Sequence, residues 1–287
     1  MRFANSFGWA VPAIAIVASV STGCGDPAKA SQKAAADRLP GVVALVKEDV
    51  AQVRRGLPEG SAKLAKLLGP EPGADLGGLQ RAIASARAGV KDLELAKSTF
   101  FAFADPAGIV VRSEADPDHL ATKSIFAALP KLAKAKEASS GVVEDFGELK
   151  DIHIRAGNDF TWAAAHPVKD DKGEVRGVFV TGWTFRGLAY HLEEMVKREV
   201  VDAAKKEGKK SVPVVYVFVM RGKKAYGAGQ TPDVNTQAVE GLDPLSKAQS
   251  GTYETTVEIT GRVFGIAAAK TPEYGEDMGV AVLASEI

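Results

Sequence analysis

Two stretches of this chain carry the same order of elements, and that repetition limits the fold more than any other feature. The first opens with FFAFADPAGIVVRSE (100–114), passes through a helical middle and closes with FTWAAAHPVKDDKGEVRGVFVTG (160–182). The second opens with VYVFVMRGKKAYGAG (215–229) and closes with VFGIAAAKTPEYGEDMGVAVLAS (263–285). The closing segments align as AAAHPVKDDKGEVRGVFV against AAAKTPEYGEDMGVAV. A repeat of about 100 residues describes one globular module copied, not a solenoid unit.

Within each copy the apolar pattern is extended. Asp105-Pro106-Ala107-Gly108 is a turn between two short strands, since Pro presets one turn angle and Gly tolerates positive φ. Residues 117–136 read as helical with a kink at Pro130. Strands are expected at 141–146, 152–155 and 159–168, and the polar turn 169–173 sends the last of these back as 174–185. A helix follows over 187–207. The second copy gives strands at 212–220, 225–228, 251–259, 262–270 and 278–284, with broken helix over 229–250.

Before the repeat the period is helical. Val42, Val46, Val50, Val53 and Leu57 recur on one face of a helix over 41–56, with Gly56 and Pro58 as its stop. A second short helix is expected over 61–68. A third, over 75–97, carries Leu79, Ile83 and Val90. These stripes suit core packing, and the alternative is a coiled-coil seam. The organisation is therefore α+β: residues 41–98 helical, module one over 99–186, a connecting helix over 187–211 and module two over 212–287. The two sheets should be separate and antiparallel.

The first residues read as an export signal. Arg2 is followed by an uncharged, mostly apolar stretch from Trp9 to Val20, too short for a spanning helix, which needs about 20 apolar residues. Small residues 21–23 precede Cys24, the chain's single cysteine. Small residues before Cys resemble a bacterial lipobox, which implies a signal peptide over 1–23 and lipid on Cys24. Val20 and Ser21 replace the usual Leu arrangement, and ordinary secretory cleavage is the alternative. Either route places the chain outside the cytoplasm, in the cell envelope. Residues 24–40, polar and Ala-rich, read as a tether. One cysteine excludes an internal disulfide. With 36 basic and 36 acidic residues, no net charge draws the chain to nucleic acid.

Hairpin, helical middle and long closing hairpin resemble a PAS-like module, and more closely the Cache domains of bacterial receptors. The resemblance rests on Asp105, Gly108, Ile109 and Val110 in the first hairpin, and on Pro167-Val168, Gly173 and Gly177-Val178 in the closing one. Two such modules resemble a double Cache arrangement, which implies small-molecule sensing. Such domains usually sit between two membrane helices, so this chain would signal through a separate envelope partner, or as a homodimer. Some members bind amino acids through an aromatic-Arg-Trp-aromatic motif and a late Asp. Here Trp162 has no adjacent Arg, and the late Asp positions fall at Gly182 and Ala284, so that mode is not expected.

Trp162, Ala164 and His166 share one face of a strand, and Phe179, Thr181, Trp183 and Phe185 share a face of the next. A pocket bounded by Trp162, His166 and Trp183 would offer an indole N–H and an imidazole as polar anchors. Arg155 and Arg186 flank the hairpin and could meet an anionic ligand. The alternative is that the tryptophans are core and His166 lies at the surface. Tyr216, Tyr226 and Arg262 are the matching candidates in module two. No HxxxH, CxxC, GxSxG or phosphate-loop pattern is present, so neither metal, cofactor nor enzymatic activity is expected. The readings left open are a lipid-tethered sensor of a small molecule and an interaction lipoprotein whose modules bind protein alone.

Overall fold

The computed structural model describes residues 26–150, 158–209, 212–249 and 251–286. The export signal, Cys24, the strand expected at 152–155 and Arg155 lie outside the described residues.

A helix of 41 residues, α1 (Pro27–Leu67), opens the fold. It is about 60 Å long at 1.5 Å per residue. Asp26 caps it, accepting a hydrogen bond from the Ala28 N–H at 3.0 Å, and Pro27 sits in the first turn, where a missing N–H costs nothing. Two expectations change here. The stretch expected to be a tether is helical from residue 27, because Ala34, Ala35 and Leu39 are buried in the core. The stop expected at Gly56 and Pro58 does not occur, and α1 runs through both. Gly56, Leu57, Gly60 and Ser61 are buried, and an added Cβ at Gly56 would meet Leu93 at 2.9 Å. Tertiary packing outweighs the local helix-breaking tendency.

The third predicted helix divides into α2 (Leu76–Ala88) and α3 (Lys91–Leu95), burying Leu79, Ile83 and Leu93. Module one then follows as β1 (Phe100–Ala104), β2 (Val110–Ser113), α4 (Ile125–Ala128), a 3₁₀ segment (Pro130–Lys136), β3 (Val143–Lys150), β4 (Asn158–Lys169) and β5 (Val175–Thr184). The connecting helix is α5 (Phe185–Lys206). Module two comprises β6 (Val214–Arg221), β7 (Lys224–Gly227), α6 (Asp233–Leu242), α7 (Pro244–Ala248), β8 (Thr252–Ile259), β9 (Arg262–Lys270) and β10 (Met278–Ser285). The two sheets are separate and antiparallel, with identical orders, β2-β1-β5-β4-β3 and β7-β6-β10-β9-β8. The repeat read from sequence is therefore a repeat of topology.

Strand alternation sorts each sheet into two faces. One face of both sheets shares a continuous core with α1 and α5, including Phe101, Phe179, Trp162, Trp183, Val217 and Val282. The opposite face of each carries its own core. In module one, Ile125, Leu129 and Leu132 cover Ala163, Ala165 and Val180. In module two, Val239 and Leu245 cover Phe218, Ile266 and Leu283. The loop between β9 and β10 crosses to module one, where Tyr274 packs 5.7 Å from Phe146, 5.7 Å from Trp162 and 5.8 Å from Phe185, ring centre to ring centre.

Glycine at 265 lets β9 lie directly on α1, since an added Cβ would collide with the backbone of Ser31 and Gln32. Gly265→Ala is expected to cost about 1–3 kcal/mol through overpacking. Gly41, exposed and with nothing within 4 Å of an added Cβ, offers the opposite case. Gly41→Ala is expected to add about 0.5–1 kcal/mol through helix propensity. Urea midpoints of the two variants check both signs.

Candidate functional site

The structure distributes the residues proposed from sequence over three places. Trp162 and Trp183 lie opposite each other on β4 and β5, stacked with centroids 4.9 Å apart and planes 21° apart. Both are fully buried. Their N–H groups are used within the fold: Trp162 Nε1 donates to Glu144 Oε2 and Trp183 Nε1 to the Lys97 carbonyl, each at 3.3 Å. Glu144 is held in turn by Arg54 of α1 at 2.6 and 2.9 Å. The space expected between the indoles is filled by the indoles themselves. Parity identified their shared face, but not that α1 and Tyr274 would cover it.

His166 lies at the far end of β4, half-buried, in a cleft of ≈ 250 Å³ between module one and α1. Pro58, Ala62 and Lys66 of α1 form one wall, and Pro167 and Lys169 continue the other. The ring Nδ1 is 3.1 Å from the Pro167 carbonyl. Burial pushes the imidazole below the ordinary histidine value, the Pro167 carbonyl pulls against this, and the Lys169 charge adds to the depression. These effects together favour the neutral ring. Lys66 and Lys169 make no ion pair among the described residues.

Arg186 sits exposed in the first turn of α5, at the opposite end of β4. Seven residues of strand separate His166 from Asp159, the residue beside Arg186, about 23 Å at 3.3 Å per residue. One small ligand cannot touch both. In module two, Tyr226 packs against Phe185 at 5.1 Å, and Arg262 donates to Ser285 Oγ at 2.9 Å. Tyr216 borders a separate groove beside α5.

Sequence reading missed the titratable groups around the junction of the modules. Asp159 is 5% exposed, and its carboxyl is raised to about 6. Burial is the main cause, opposed by the Arg186 charge, the Thr184 hydroxyl and the Arg186 N–H. Asp49 of α1 and His191 of α5 meet at 3.3 Å. Burial raises the Asp49 carboxyl above the usual carboxylate range, against the pull of His191. The buried Tyr274 hydroxyl feels Asp159, Asp49 and Glu144, and both desolvation and those charges push it well above the ordinary phenol value. These residues lie far apart in sequence, and only the fold brings them together. Among the described residues no three His, Cys, Asp or Glu side chains surround one point as metal ligands would.

No protein-family profile matches the chain, and no curated protein matches it. Similar solved structures are receptor ligand-binding domains. One is the ligand-binding domain of the Campylobacter jejuni chemoreceptor Tlp3 in complex with L-norvaline, 12% identical, with a TM-score of 0.49, covering 91% of this chain and 93% of that one. Another is the Pseudomonas fluorescens chemoreceptor CtaA domain in complex with L-alanine, 13% identical, with a TM-score of 0.48, covering 87% and 94%. A third is an extracellular ligand-binding receptor from Desulfohalobium retbaense, 10% identical, with a TM-score of 0.46. It matches 86% of this chain, which spans 39% of that receptor's length.

The Asp159 carboxyl gives a signed expectation. Its folded-state value, about 6, exceeds the unfolded value of about 3.9, so the folded state holds the proton more tightly. The associated stability is fully present below about pH 4 and is lost as pH rises through about 6. Asp159→Asn is expected to stabilise the fold at pH 7 by about 1–3 kcal/mol and to flatten this window. Urea unfolding at pH 5 and pH 7 measures both effects.

Proposed function

We propose that this chain is an extracytoplasmic, Cache-like sensor, anchored by lipid on Cys24, that binds a small molecule at module one. It passes the resulting change along α1 to a separate membrane partner. The observation that carries this reading is the dual position of α1. Its C-terminal third walls the His166 cleft through Pro58, Ala62 and Lys66. Its second turn is tied to the end of module two, where Ser31 Oγ accepts from the Glu286 N–H at 3.1 Å. A ligand that displaces the distal turns thus acts on the same rigid element that begins three residues after Cys24. Pro58 stands inside the helix at the cleft, and the buried residues Leu57, Gly60, Ser61 and Leu64 hold the helix straight across it. In this reading His166 is the ligand contact, the tryptophan pair stiffens the sheet behind it, and Arg186 belongs to the junction.

A second reading has its own support. The sheet faces opposite α1 are filled by side chains in both modules, which suits an interaction lipoprotein that binds protein alone. A thermal-shift screen of small metabolites separates the two. A ligand at a hundredfold excess over its dissociation constant adds about 2.7 kcal/mol to stability. The sensor reading expects a hit whose shift disappears in His166→Ala while the free protein melts as before. A broad screen without hits, or hits untouched by that variant, favours the interaction reading. The anchor is tested apart from this. Cys24→Ala should move the protein out of the membrane fraction, and intact mass should show lipid on the wild type.

A further inference from the structure

Between the C-terminal half of α5 and the start of β6 runs a groove of ≈ 300 Å³, walled by Val200 and Val201 on one side and by residues 212–216 on the other. Lys197 is the one charged group among its described lining residues. Its ammonium is bound to Glu193 at 2.6 Å, and the second Glu193 oxygen accepts the Val217 N–H at 3.1 Å. Glu193 is fully buried. The polar groups at this inner end satisfy one another, so an occupant of the groove meets hydrocarbon.

The geometry also disfavours a peptide. β7 pairs only with Phe218–Arg221 of β6, which leaves the earlier residues of β6 as a sheet edge. Such an edge normally invites an added strand. Here Pro213 has no N–H to offer, and Glu193 has taken the N–H of Val217. A hydrocarbon chain needs no ladder of hydrogen bonds.

Position and charge indicate what kind of chain it is. Val214 pairs with Ser285 on the last rung of the sheet, and Glu286 is bonded to Ser31 in α1. The groove therefore lies at the end of the molecule where residues 1–25 join the fold. Along α5, Lys197, Val201 and Lys205 stand above one another at i, i+4 spacing, about 12 Å from first to last. Lys205 is exposed and makes no ion pair among the described residues. Helical spacing thus sets an exposed cation one turn beyond Val201, a residue of the groove wall.

We infer that this groove holds one acyl chain of an anionic phospholipid, with the headgroup phosphate at Lys205. The choice of a bilayer lipid rests on the anchored reading, because an anchor at Cys24 sets this end of module two against the membrane surface. Calorimetric titration of the purified full chain with dodecanoyl lysophosphatidylglycerol, below its micelle concentration, tests the site. Saturable binding of one lipid per chain is expected. Dodecanoyl lysophosphatidylcholine, whose choline cation offsets the phosphate charge, should bind about two- to fivefold more weakly, the scale of an exposed ion pair, and Lys205→Gln should erase that preference. Val212→Glu, at a position 39% exposed, should abolish binding without moving the melting temperature. Absence of saturable binding overturns the proposal. So does undiminished binding in Val212→Glu, or tight binding of dodecanoate without lysophosphatidylglycerol, which would make this a free fatty-acid site. If Cys24 carries no lipid while the groove still prefers lysophosphatidylglycerol, the anchor fails and the groove assignment stands.

Discussion

The burial of one helix face against two sheets is the constraint on which the rest of this structure depends. Neither sheet could stand alone with its inner apolar face in water, and α1 covers both. Val42, Val46, Val50, Val53, Leu57 and Leu64 are each at most 1% exposed along it. With α5 running back beside it, α1 turns two copied modules into one body. The Tyr274 loop completes the joint by placing a ring from module two within the aromatic core of module one. Any displacement of α1 is therefore felt at both ends of the molecule.

Much of this was legible in the sequence because strands and turns are local. The Asp105–Gly108 turn and the polar turn at 169–173 announce their hairpins, and alternation assigns Trp162 and His166 to one face. The triple-alanine strands align the two modules before any coordinates are seen. What could not be read is which partner covers each face. Alternation makes Trp162 and Trp183 neighbours equally well in a pocket or in a core. The decision lies with α1 and Tyr274, the latter 112 residues away from Trp162 in the chain. The same non-local packing carries α1 through Pro58, where a local reading ends it.

The candidate site follows the same division. His166 was visible as a polar residue at a hairpin end, and it does border a cleft. Arg186 was visible too, but it opens α5 beside Asp159, at the other end of β4. The carboxyls of Asp49 and Asp159 gave no signal in sequence, because acids among polar neighbours look like solvated surface. Only burial shows that both sit where a negative charge is costly. The junction is therefore sensitive to protonation, while the His166 cleft and the groove beside α5 lie at opposite ends of the molecule.

The central claim is that α1 acts as one unbroken strut serving both modules, and native-state amide hydrogen exchange tests it most directly. Amides from Val42 to Leu64, including those just beyond Pro58, should exchange only through global unfolding, as slowly as the amides of Trp162 and Val282 in the two sheets. Faster exchange confined to the turns after Gly56, or separate protection levels for the two halves of the helix, would contradict it.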